Sequence, residues 1–123
     1  MPGFTLDPGA DMHSVSSGLA ALERSLTEVS HPLTDRVMIV AGEIAANASE
    51  HGLAPLGIQW TITPQMVTLD LSGSGPDAQK IAYSELPGPE ATRGRGLYLI
   101  RTLASSIEDG PEGLRIRLEA EQR

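Results

Sequence analysis

Cysteine is absent from all 123 residues, which removes disulfides, thiol nucleophiles and thiolate zinc sites. Lysine is almost absent: Lys80 stands alone, and the formal charge is −7 with a pI near 4.8. A nucleic-acid backbone would be repelled by such a chain, because that kind of binding draws on clustered Lys and Arg. No apolar run is long enough to cross a bilayer, and the start, Met1 to Ala10, lacks the basic and apolar stretches of a secretory signal. The expectation is a soluble, cytoplasmic protein without nucleic-acid or membrane partners. The three histidines are scattered and do not suggest a metal cage. The length suits a single domain spanning residues 1–123.

Phe4-Thr5-Leu6 alternates and stops at Asp7-Pro8-Gly9, as a short first strand would. From Val15 to Val29 the positions Leu19, Leu22 and Leu26 have helical spacing, with Ser14 as N-cap and His31-Pro32 as the stop. A second helix is predicted from Thr34 to His51, closed by Gly52, with Val37, Val40, Ala41, Ile44 and Ala48 on one stripe. Gly57 to Thr63 and Met66 to Leu71 read as an antiparallel hairpin turning at Pro64-Gln65. The polar, proline-bearing stretch that follows runs to Arg93 and is too long for a simple turn. A third helix is expected from Gly94 to about Ser105, then a closing hairpin of Ser106 to Glu108 and Leu114 to Leu118. These elements predict an α/β two-layer sandwich, a mixed and mostly antiparallel sheet with helices on one face.

Three segments carry chemistry. Glu43, Asn47 and His51 recur at four-residue steps, offset by only about 40° around the helix, so they form a polar ridge along the border of the apolar stripe. A carboxylate there can take a proton from a hydroxyl, and an amide oxygen is a hard ligand suited to Mg2+ beside phosphates. The same pattern also occurs on ordinary helix surfaces. Gly94-Arg95-Gly96-Leu97 leads straight into the third helix, where glycine lets the backbone approach an anion and free N–H groups favour negative charge. A plain glycine-rich loop end fits those residues equally well, although Arg93 and Arg95 favour an anion. Gly73-Ser74-Gly75-Pro76-Asp77, closing a strand, allows a tight turn against a flat ligand, or simply a turn.

In this order the segments resemble the GHKL or Bergerat-fold ATPases. Gly42-Glu43-Ile44-Ala45-Ala46-Asn47-Ala48-Ser49-Glu50-His51-Gly52 looks like the N box, and Gly94-Arg95-Gly96-Leu97-Tyr98-Leu99-Ile100-Arg101 like the G2 box. Histidine then glycine at the end of the N box is similar to the anti-sigma-factor serine kinase branch. The resemblance implies ATP and Mg2+ as cofactors, Glu43 as general base toward a protein serine, and Asn47 as Mg2+ ligand. It implies that Gly94, Gly96 and Leu97 wrap the phosphates with Arg95 beside them, and that residues 78–93 form the ATP lid. His51 matches a position characteristic of the branch, where a helix cap or core hydrogen bond accounts for it. In the G1 box, which the family writes Asp-x-Gly-x-Gly, the best register places Gly73 at the aspartate, keeps Gly75, and puts Asp77 at the second glycine. Another register places Leu71 at the aspartate. Asp70 and Asp77 are then the nearby carboxylates able to stand in.

The function implied is an anti-sigma-factor-like serine kinase in a partner-switching system. It would phosphorylate a STAS-type antagonist while sequestering a sigma factor or similar target, and homodimerisation accompanies this in the family. The alternative is a degenerate relative that keeps the fold as an interaction module with weak or no nucleotide binding.

Overall fold

Alternation of apolar and polar residues sets the sheet. The computed structural model describes residues 3–6, 12–50, 56–73, 100–109 and 113–120. Five strands, β1 (Gly3–Leu6), β2 (Leu56–Thr63), β3 (Met66–Gly73), β4 (Ser106–Asp109) and β5 (Gly113–Glu119), form one sheet in the order β1-β2-β3-β5-β4. Each pairing is antiparallel. The sheet expected to be mostly antiparallel is therefore antiparallel at every described pairing.

The register stacks apolar residues in rows across the strands. Phe4, Ile58, Leu71 and Leu114 make one row, and Trp60, Leu69, Ile116 and Ile107 the next. Because side chains alternate with a period of two, a slip of one residue would turn both rows to the other face. Helices α1 (Met12–Glu28) and α2 (Thr34–Glu50) cover the apolar face. Val15, Leu22 and Leu26 of α1 and Val37, Val40, Ala41, Ile44 and Ala45 of α2 join the strand residues in one core cluster. Full burial of a Leu or Ile side chain contributes about 1.5–3 kcal/mol, so this shared core, rather than helix propensity, holds the two layers together.

Two helix boundaries differ from the sequence reading. Helix α1 starts at Met12, so Ser14 lies inside its first turn instead of capping it. Val15 is only 3% exposed, and a helical side chain leans over the turn before its own Cα, so that turn is wound where Val15 packs. The third helix is described only at residues 100–103, where Ile100 is fully buried. It ends before Ser105, whose N–H already donates to Arg117 O at 2.7 Å and so belongs to the sheet.

Candidate functional site

Helix α2 supplies the polar ridge. Glu43 is half-buried, between fully buried Ile44 and half-buried Gly42, which is the rim position that the angular argument expects. Asn47 lies one turn further along α2, where the backbone alone is described. Gly73 is the last residue of β3 and pairs with Leu56 at the start of β2. Gly75, Asp77, His51, the lid at 78–93 and Gly94, Arg95, Gly96 and Leu97 lie outside the described residues.

A hydrogen bond fixes the end of the sheet at which α2 begins. Near its start, His31 Nε2 is 2.8 Å from Thr63 O, so this end of α2 sits beside the last residue of β2. At about 1.5 Å per residue α2 is roughly as long as β2, which rises about 3.4 Å per residue. Residues 51–55 separate the end of α2 from Leu56, at the other end of β2. The second half of α2, with Glu43, runs away from the Thr63 end of β2.

Asp70 faces away from α2. Its side chain alternates with those of Leu69 and Leu71, which face the helices in the core, so it projects from the opposite face. On that face Arg115 Nε donates to Asp70 Oδ1 at 2.7 Å, and Arg117 Nη1 lies 2.8 Å from Glu108 Oε1. The hydrogen bond to Asp70, reinforced by its charge, raises the Arg115 guanidinium above its ordinary value. Leu71, which one register sets at the family's aspartate, is 3% exposed and packed in the core. Strand alternation thus puts Asp70, one of the two candidate stand-in carboxylates, on the face of the sheet opposite the helices.

The sequence matches the histidine kinase-like ATPase domain family over residues 4–120. The chain belongs to this family. No match was found among curated proteins. As a GHKL ATPase-like domain it falls in a nucleotide-binding family, which implies ATP and commonly Mg2+. Mg2+ beside phosphates needs only one or two protein ligands. Among the described residues no group of three or more His, Cys, Asp or Glu could hold a metal. Among the described residues no helix is long and apolar enough to cross a membrane.

The residue that sequence reasoning missed is His31. Before Pro32 it reads as part of a helix stop, yet it is 5% exposed and joins α2 to the sheet. The available signal was Leu33, an apolar residue immediately before the predicted helix at Thr34, where a polar cap is usual. Some other group had to satisfy the first amides.

Proposed function

We propose that the chain is a serine protein kinase of the partner-switching type, which binds MgATP, phosphorylates a serine on a STAS-type antagonist and sequesters a sigma factor or similar regulator. The observation that carries this reading is the half-buried Glu43 beside the fully buried Ile44 on α2, in a chain of the histidine kinase-like ATPase family. In that arrangement the Glu43 carboxylate accepts the proton of the incoming serine hydroxyl. The amide oxygen of Asn47 would ligate Mg2+. Backbone N–H groups at Gly94 and Gly96, with Arg95 and Leu97, would hold the phosphates, and Gly73, Gly75 and Asp77 would border the base. Bound MgATP would supply the phosphoryl group, with Mg2+ shielding its charge. Phosphoryl transfer depends on positioning and electrostatics more than on covalent chemistry, so this small set of groups is enough.

Titration with MgATP followed by thermal unfolding tests the reading. The melting temperature rises with nucleotide, and Asn47→Ala reduces the rise. Glu43→Ala keeps the rise but abolishes transfer to the partner serine; transfer surviving in that variant removes Glu43 from the role of base.

One observation favours a second reading, an interaction module that no longer turns over nucleotide. Leu71 is buried in the core and Asp70 is paired with Arg115 on the far face, so neither supplies a carboxylate on the helix side of β3. A charge-assisted hydrogen bond contributes roughly 1.5–3 kcal/mol, and its loss weakens nucleotide binding by about one to two decades. A flat melting temperature at millimolar MgATP selects this reading.

A further inference from the structure

We infer that His31 is a positioning residue: it sets the placement of α2 on the sheet and, through α2, the location of Glu43 and Asn47. The geometric claim stands on the fold, and its consequence for phosphoryl transfer rests on the kinase reading above.

The junction is built from the end of α1 outward. Ser30 adopts a left-handed conformation with φ of 48°. Its N–H donates to Thr27 O and the N–H of His31 to Leu26 O, both at 3.0 Å. This pair of bonds closes α1 and turns the next residue inward. His31 consequently enters the interior at 5% exposure, alongside the fully buried Leu26.

From there His31 serves two elements at once. The Leu33 N–H donates to Nδ1 at 3.0 Å. Nδ1 is thus the acceptor, which leaves the proton on Nε2, and Nε2–H donates to Thr63 O at 2.8 Å. The backbone oxygen of His31 accepts from the Thr34 hydroxyl at 2.7 Å and the Thr34 N–H at 3.3 Å. Leu33 O accepts from the Val37 N–H at 2.9 Å, so Leu33 sits where a polar N-cap normally would. One imidazole therefore satisfies the amide of the residue at the N-cap position and ties the start of α2 to the last residue of β2.

That tie adds a fixed direction to a contact that is otherwise apolar. Val37, Val40, Ala41, Ile44 and Ala45 are all fully buried along α2 and seat its length. Apolar burial is non-directional, so the hydrogen bond from His31 is what fixes where the helix starts. A rotation of about 10° moves a side chain at the helix surface by about 1 Å, enough to degrade catalytic geometry.

The test separates capping from bridging in the full chain. His31→Asn keeps a short acceptor for the Leu33 N–H but cannot reach Thr63 O, whereas His31→Ala loses both. We expect His31→Asn to recover most of the melting temperature lost in His31→Ala. Its amide resonances from Ala41 to Asn47 nevertheless move as far as those of His31→Ala, and transfer to the partner serine slows by about tenfold or more at a temperature where the protein is fully folded. Resonance changes confined to residues next to the junction, or a transfer rate within about twofold of the unaltered protein, would overturn the inference. If the unaltered protein binds no MgATP, the kinase reading fails, while the Ala41 to Asn47 resonances still decide the positioning claim. Should His31→Ala not fold, His31→Asn against the unaltered chain gives the same readout.

Discussion

A methyl group added to Gly18 on α1 would stand 2.6 Å from Phe4 Cε2, whereas one added to Gly42 on α2 meets nothing within 4 Å. The Phe4 ring has little freedom to retreat, since it rests against Trp60 with centroids 6.1 Å apart. Gly18→Ala is therefore expected to lower stability by about 1–2 kcal/mol despite the better helix propensity of alanine. Gly42→Ala should raise it by about 0.5–1 kcal/mol. Denaturant unfolding of the two variants checks the pair, and equal effects would contradict the close approach of α1 to β1. The sequence cannot distinguish these glycines, because both lie within regular helical patterns. Glu43 and Asn47 were legible for the converse reason: four-residue spacing beside an apolar stripe defines a rim by angle alone, without knowledge of what the stripe packs against.

At the scale of elements, β3 separates two environments residue by residue. Its apolar positions Val67, Leu69 and Leu71 enter the core, and Asp70 joins Arg115 on the other face. Asp70→Asn is expected to cost about 1 kcal/mol, as for a partly exposed ion pair, and to leave nucleotide affinity unchanged. Weaker MgATP binding in this variant, measured by calorimetry, would place Asp70 in the nucleotide site after all. The hairpins of β2 with β3 and of β4 with β5 were readable from alternation, the first also from its turn at Pro64-Gln65. Less readable was the start of α1, because Ser14 has the chemistry of a cap while Val15 packs as part of an already wound helix. Propensity yielded there to burial.

For the whole molecule, ligand binding and folding share one equilibrium. At a concentration a hundredfold above its dissociation constant, MgATP would stabilise the native state by about 2.7 kcal/mol, a rise in melting temperature on the order of 10 °C for a domain this size. That scale makes thermal unfolding a sharp discriminator between kinase and interaction module. Taken alone, the sequence determined the element types and the two-layer class, because both follow from local periodicity, and its motifs carried the resemblance to the family. The tertiary structure alone decided the strand order β1-β2-β3-β5-β4, the isolation of Asp70 on the far face, and the role of His31. These rest on contacts between residues far apart in the chain, such as the hydrogen bond from His31 to Thr63, and no local pattern encodes which distant acceptor a buried imidazole will meet.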